Sequence, residues 1–433
     1  MKYFWDPFVE FTDSEMDFFS YGEANLPRKG VFLRLIIYLY SILRFLFSRQ
    51  KNPGIKSNLI KSRSHKNIWV LSGSNHESQS LLFVNDIENV NIIDIGLNGN
   101  KALHLAGYIL GIFTIPYLLF IYIYSDEPHK KLFPYLIDSM MYLNGLTYIL
   151  FLYKYVRPPN YILYSNHVSP LCRSVINIFK NKPEISIIYI EHVPMLSYWP
   201  NVNADIFFLS GEFSLFNMRK RTCISGKEVF LVGPSRNEDL DVSDKLIDCN
   251  LDIVGIAVSP IDNISNIVNF IKSALKKDPL LRFIVRPHPS MRKSKLIKAL
   301  NPFKENIEIH STQTMSLNLF FQSIDLLIVN DSGIFFESAI AETPILRIKF
   351  SDFDSNIYCV PPEFNKYYHS LDYVSSNLSS IFLGENPQAL KKYLFKNYQT
   401  KYWGKSRELK VKIFESILSN NFDDELNKFK FTK

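Results

Sequence analysis

The stretch Ile324 to Leu346, IDLLIVNDSGIFFESAIAETPIL, most constrains what this chain can fold into. An apolar run from Asp325 to Val329 reads as a buried strand and enters the polar turn Asn330-Asp331-Ser332-Gly333. A helix follows, because Ile334, Phe335, Ala339 and Ile340 recur at helical spacing. Glu342-Thr343-Pro344 ends that helix before another apolar strand, Ile345 to Ile348. Strand, turn, helix and strand in this order predict a parallel α/β unit. The turn aims backbone N–H groups and the positive end of a helix dipole at whatever lies above it, and Gly333 permits close approach, so it suits an anion. Glu337, one turn into the helix, is placed to accept hydrogen bonds from a hydroxylated group carried by that anion, as ribose is carried by phosphate.

A second anchor lies upstream, where LLRFIVRPHPSMRKSK (Leu280 to Lys295) sends another apolar strand into Arg286-Pro287-His288-Pro289-Ser290. The prolines restrict the backbone on either side of the histidine. Open parallel sheets bind ligands outside the carboxyl ends of their strands, so His288 and Arg286 there, with Ser332 after a later strand, predict a phosphate pocket that needs no metal. The alternative is that His288 merely caps a strand.

At 433 residues the chain suits two domains plus extensions. Its four cysteines (Cys172, Cys223, Cys249, Cys359) have no metal-like spacing, and they fit a reducing cytoplasm. The start, MKYFWDPFVEFTDSEMDFF, lacks the basic and apolar regions of a signal peptide. The net charge of +7 is unevenly spread: from Ala24 to Lys66 there are ten Lys and Arg residues and no Asp or Glu. Within it, VFLRLIIYLYSILRFLFSRQK alternates apolar turns with Arg34, Arg44, Arg49 and Lys51, the pattern of a basic amphipathic helix at an anionic membrane surface. A core helix with snorkelling basic ends is the competing reading. Nucleic acid is not expected, since no helix-turn-helix, zinc or RNA-binding signature accompanies the charge.

Taken in order, Ile68 to Leu71 and Asn91 to Ile95 read as the first strands of a Rossmann-like unit. The loop Ser72-Gly73-Ser74-Asn75-His76 lacks the GxGxxG pattern of a dinucleotide site. Ala106 to Tyr124 is a run of 19 without formal charge, at the margin of the length that spans a bilayer. Pro116 and the tyrosines in it favour a buried or membrane-contacting helix, and Phe133 to Tyr155, with Asp138 and Asn144, reads as core. Further strands are expected at Tyr161 to Tyr164, Ile185 to Ile190 and Asp205 to Leu209, with a helix over Leu171 to Phe179. Their loops would bring His167, Glu191 and His192 to one sheet edge, with His167 read as a buried structural histidine. Gly226 to Asp241 reads as a linker, after which Leu251 to Asp262, the His288 strand, Ile307 to Ile309 and the Ser332 strand make a second parallel sheet. The expected domains are therefore 1–66 (extension), 67–235 (acceptor), 236–383 (nucleotide sugar) and 384–433 (helices packing back on the first).

These residues resemble the GT-B glycosyltransferases, particularly bacterial capsule, O-antigen and lipooligosaccharide enzymes that use CMP-activated acidic sugars. The resemblance covers roughly Asn160 to Leu383 and implies an α/β fold of two Rossmann-like domains with parallel sheets facing a central cleft. It implies that His288-Pro289 and Ser332-Gly333 hold the CMP moiety, with Arg286, Asn330 and Asp331 beside them, and that Glu337 binds ribose. The nucleotide sugar is then a substrate, no metal or cofactor is required, and the acceptor is a glycan or glycolipid at the cytoplasmic face of the inner membrane. The acidic-acidic-glycine motif that carries the general base in some sialyltransferases has no match. Tyr189-Ile190-Glu191-His192 resembles the strand ending in Gln-His-Gly of related proteins, with Val193 in place of glycine. The base is therefore sought among Glu191, His192 and Asp205.

Other readings share parts of the pattern. Arg286-Pro287-His288-Pro289 equally fits a CDP-glycerol or CDP-ribitol phosphotransferase, although the paired serines expected downstream are absent. A nonhydrolysing sugar-nucleotide epimerase shares the Asp-Ser-Gly-glutamate style but has no need of a basic membrane-facing window. Donors carrying UDP, GDP or TDP, and a non-catalytic GT-B scaffold, also remain. Asp239-Leu240-Asp241 and Asp352-Phe353-Asp354 lack the setting of a metal-binding GT-A motif.

Overall fold

In the computed structural model, residues 31–47, 54–57, 65–73, 75–96, 99–124, 127–167, 169–192, 202–221, 224–234, 250–288, 291, 293–311, 314–330, 332–351, 360–397, 405–422, 426 and 429–431 are described. The acidic start, both Asp-x-Asp strings, Pro289 and Asp331 lie outside them. The chain divides into two compact units, Met1–Arg236 with Tyr398–Lys433, and Asn237–Asn397.

Unit 1 is built on β1 (Lys66–Leu71), β2 (Val90–Asp94), β3 (Tyr161–Tyr164), β4 (Ser186–Ile190), β5 (Ile206–Leu209) and β6 (Glu228–Leu231). These six are parallel in the order β6-β5-β4-β3-β1-β2, and a short carboxyl-terminal strand, Lys430–Phe431, adds antiparallel to β6. The strands are mostly apolar because both faces are covered. Trp69, Tyr164 and Phe207 pack on one face, Ile68, Leu163 and Phe208 on the other. The second face is closed by helix Ser406–Ser419, which brings Leu409, Ile413 and Phe414 onto it.

The first face carries a larger cover. Helix α1 (Val31–Phe47) is followed, between β2 and β3, by α2 (Lys101–Ile112), α3 (Ile115–Tyr124) and α4 (Glu127–Val156). The uncharged run at 106–124 is thus two helices: Thr114 closes the first by donating its hydroxyl to the Gly111 carbonyl at 2.7 Å, and Pro116 occupies the opening turn of the second. Among the described residues, no helix is long and apolar enough to cross a membrane.

Unit 2 is a wholly parallel six-stranded sheet, β12-β11-β10-β7-β8-β9, made of β7 (Ile253–Val258), β8 (Arg282–Pro287), β9 (Ile307–Ile309), β10 (Leu326–Val329), β11 (Ile345–Ile348) and β12 (Tyr367–Tyr368). Helix Ile264–Lys277 joins β7 to β8 and buries Ile267, Phe270 and Ile271, while α5 (Ile334–Ile340) joins β10 to β11. All the strands foreseen from sequence are present with small shifts at their ends.

Candidate active site

In unit 2 both sequence anchors reach the same carboxyl edge. β7 lies between β8 and β10, so the loops bearing His288 and Ser332 are two strand spacings apart, roughly 10 Å. The His288 backbone N–H donates to the Val258 carbonyl at 2.9 Å, which ties the end of β8 to β7. His288 itself is half-buried. Arg286, two residues earlier, is buried: its guanidinium lies 5.3 Å from the Phe320 ring centroid and donates to the Met315 carbonyl at 3.0 Å. Burial lowers its pKa from the ordinary arginine value. Those contacts make Arg286 a brace for the chain after β9.

Asn330 is the hub of a buried network. Its amide donates to the Asp262 carboxylate at 2.8 Å and the Ser351 hydroxyl at 3.2 Å, and its carbonyl oxygen accepts from the Tyr367 hydroxyl at 2.8 Å. Asp262 in turn accepts the Ser259 N–H at 2.6 Å. The loops after β7, β10 and β11 are therefore locked to one another, with Tyr367 of β12. Asn330 fixes the Ser332-Gly333 turn, and its side chain is spent on protein partners. Gly333 has φ −57°, so its backbone is helical and its place there rests on size, not on left-handed geometry. Glu337 lies buried in α5.

The carboxyl edge of unit 1 gathers a second polar cluster. Ser72, after β1, donates to the Asp94 carboxylate at 2.7 and 2.9 Å, and the Gly96 N–H donates to the same group at 2.8 Å. Burial nevertheless raises the Asp94 pKa. Gly96 has no room for a side chain, since a Cβ would lie 2.0 Å from Ser72 Oγ. After β3, the Asn166 amide donates to Glu77 at 2.9 Å. His192, half-buried after β4, donates from Nδ1 to the Ser165 carbonyl at 2.7 Å. A carbonyl can only accept, so this bond selects the tautomer whose lone pair is at Nε2. Glu191 is buried and accepts the Ser210 N–H at 2.5 Å, joining the ends of β4 and β5. His167 lies edge-on to Tyr189, and burial, helped by Arg173 and His192, lowers its pKa to about 3. It stays neutral in the fold.

Glu191 and His192 thus share an edge, but Asp205 does not join them. It precedes β5, at the amino edge, where it accepts the Ile187 N–H at 3.0 Å and pairs with Lys227 at 2.8 Å. The four-residue length of β5 sets it roughly 13 Å from the Glu191 edge. The sequence expectation grouped Asp205, at the start of its strand, with residues that follow theirs. Sequence reasoning also missed Asp262, Tyr367 and Asp94. Asp94 carried a local signal, an acid ending an apolar strand just before a glycine; Tyr367 carried none. Arg347, fully buried on β11 between the rings of Phe335 and Tyr367, was legible only as a lone charge in an apolar strand. Among the described residues no group of three or more His, Cys, Asp or Glu side chains is arranged to hold a metal ion.

No family model and no curated protein matches this chain in sequence. Solved structures do match in fold. MnaA of S. aureus, solved with UDP, is 12% identical, with a TM-score of 0.53 over 83% of this chain and 100% of its own. This chain has a GT-B type fold. An enzyme described as a putative UDP-N-acetylglucosamine 2-epimerase from Listeria monocytogenes matches at 11% identity and TM-score 0.54, over 83% of this chain and 98% of its own. UDP-GlcNAc 2-epimerase from Neisseria meningitidis, bound to UDP-GlcNAc, matches at 16% and 0.53, over 82% and 100%. At these identities the likeness is one of fold.

Proposed function

We propose that this chain is a glycosyltransferase that moves a sugar from a nucleotide-activated donor to a hydroxyl of a bacterial surface glycan or lipid-linked acceptor. The observation that carries the reading is the His192 imidazole, whose Nδ1 is committed to the Ser165 carbonyl so that Nε2 is the basic nitrogen, at the carboxyl edge of a parallel sheet. Removing a proton from an acceptor hydroxyl requires a base held in place in this way. Unit 2 takes the nucleotide: His288, Ser332 and Gly333 hold its phosphate and Glu337 its ribose, with Arg286 and Asn330 positioning the loops. In the transfer, the acceptor oxygen bonds the anomeric carbon while the bond from that carbon to the phosphate oxygen breaks. The electron pair leaves with the nucleotide, and the acceptor proton passes to His192. The His288 imidazole and the backbone N–H groups at Ser332-Gly333 stabilise the departing phosphate.

The His288-Pro289 and Ser332-Gly333 pair favours a CMP-linked acidic sugar, Kdo or sialic acid. The UDP held by MnaA supports a UDP-sugar as the alternative donor. A second reaction also has support. The matches that extend over about four fifths of this chain and nearly all of their own include UDP-sugar 2-epimerases, and the same sheet edge that carries His192 also carries the Glu77 and Asp94 carboxylates, groups that proton exchange at a sugar carbon would use. Incubation in D2O separates the two. Transfer releases nucleotide when acceptor is supplied and leaves C2 of the sugar undeuterated, whereas deuterium at C2 of UDP-GlcNAc without release of UDP would replace transfer by epimerisation.

A further inference from the structure

The crossover from β2 to β3 uses far more chain than its task requires. Within unit 2 one helix, Ile264–Lys277, carries β7 to β8, while β2 to β3 takes α2, α3 and α4, with α1 laid against them. Tyr38 of α1 is buried among Leu118, Ile137, Met140 and Met141, and its hydroxyl donates to the Tyr108 carbonyl at 2.7 Å. The helices meet backbone to backbone at glycine. A Cβ at Gly111 would lie 2.2 Å from the Tyr38 hydroxyl oxygen and 2.4 Å from the Met141 carbonyl oxygen, and one at Gly145 would lie 2.0 Å from the Gly107 carbonyl oxygen. Small residues four apart, Gly107 and Gly111, permit this approach. The four helices are consequently one packed layer with a defined outer face.

That outer face is apolar. Leu39, Leu43 and Phe47 on α1 are 52, 54 and 85% exposed, and Phe113 and Phe120 of the crossover 76 and 58%. Most of the exposed large apolar side chains among the described residues fall between Leu33 and Val156. A patch on this scale marks an interaction surface. The sequence charge selects the occupant: α1 lies within the stretch 24–66, which holds ten Lys and Arg and no Asp or Glu, and Lys154 extends over the Phe151 ring at 3.9 Å beside exposed Tyr155. Exposed aromatic and aliphatic side chains on helices that belong to a cation-rich segment match the boundary between acyl chains and anionic headgroups.

We infer that α1, α2, α3 and α4 form one monotopic surface that seats in the interface of an anionic bilayer, with the crossover contributing as well as the basic helix. The surface is independent of which reaction the enzyme performs. Co-sedimentation of the full chain with vesicles tests it, using phosphatidylcholine alone against phosphatidylcholine with about one third phosphatidylglycerol. Wild type pellets with the anionic vesicles, and less so at high salt. Leu39→Glu with Leu43→Glu, and separately Phe113→Ser with Phe120→Ser, each reduce binding by roughly tenfold or more, with unchanged melting because these side chains are exposed. Leu280→Ser, at an 87% exposed position in unit 2, binds like wild type. Wild type remaining in the supernatant would overturn the inference. So would a crossover variant that binds normally, or a dimer dissociated by the same substitutions without vesicle binding, which would assign the face to a second copy.

Discussion

The two units apply one sheet plan to different ends. Unit 2 covers its parallel sheet with short single crossovers and ties three loops and β12 together through Asn330, so its carboxyl edge is rigid. Unit 1 keeps the same edge chemistry but extends one crossover into a helical layer whose outer side is apolar. Rigidity at a strand edge suits recognition of a small charged ligand, because little ordering remains to be done on binding. A wide apolar face suits an extended partner. The fold distributes these tasks through connection length, leaving the strands alike.

The comparison breaks most sharply at the helical layer. Gly145→Val places side-chain atoms against the Gly107 carbonyl and Gly111 nitrogen, which are backbone and cannot turn aside. It should cost about 3 kcal/mol or more in urea unfolding and act on unit 1. Gly384→Ala, where a Cβ meets nothing within 4 Å, should be nearly silent. In unit 2, Asn330→Ala strands the buried Asp262 carboxylate and the Tyr367 hydroxyl, for an expected loss of about 2 to 3 kcal/mol, and Tyr367→Phe should lose about 1 kcal/mol. Equal sensitivity of both units to the Asn330 substitution would deny that the lock is local.

Acid should separate the units as well. Burial lowers the His104 pKa to about 4 and that of His167 to about 3, both in unit 1, whereas the unfolded chain titrates near 6.5. Below that value the unfolded state binds protons that the fold refuses, so unit 1 loses stability as pH falls from about 6.5 toward 4, at roughly 1.4 kcal/mol per pH unit for each histidine. Glu385 of unit 2 runs the other way. Burial raises its pKa to about 7 despite the Asn365 hydrogen bond, so its favourable protonation is full below about 4.5 and is lost as pH rises through 7. Melting followed from pH 4 to 8 checks both signs, and His104→Gln should flatten the acid limb.

A small stability effect is expected at the displaced candidate. Asp205→Asn should cost about 1 kcal/mol, since its ion pair is half-exposed, and leave turnover within about twofold. His192→Ala should lower kcat by about 10²- to 10⁴-fold with little change in nucleotide affinity. Loss of turnover in Asp205→Asn with normal melting would return that residue to the chemistry.

Most strands of the two sheets were legible because their apolar runs are short and end in Gly, Pro, Asn or Ser turns, and the strands and helix of Ile324 to Leu346 appear as read, whereas β6 falls in the stretch read as a linker and β12 was not foreseen. The site was legible only where one loop carries it. His288, Ser332 and the Glu191-His192 pair follow strands directly, so strand ends located them. Asp262, Tyr367 and Arg347 are brought to the Asn330 neighbourhood through pairing of β7 with β10, of β10 with β11 and of β11 with β12, contacts between distant segments that no local pattern encodes. Asp205 was misplaced. It already precedes its strand in the sequence, and the parallel register with β4 puts that start at the amino edge, opposite to Glu191.

Thermal-shift measurement with CMP, CDP, UMP, UDP, GDP and TDP, on wild type and His288→Ala, tests most directly that unit 2 holds a nucleotide at its carboxyl edge. A ligand that binds only the folded state raises the melting temperature by an amount that grows with the logarithm of its concentration over its dissociation constant, so no acceptor need be known. The account predicts selective stabilisation, by CMP for an acidic-sugar donor or by UDP for the alternative, and its loss in His288→Ala with the unliganded melt unchanged. Absence of any nucleotide effect on wild type, or an equal shift in the variant, would contradict it.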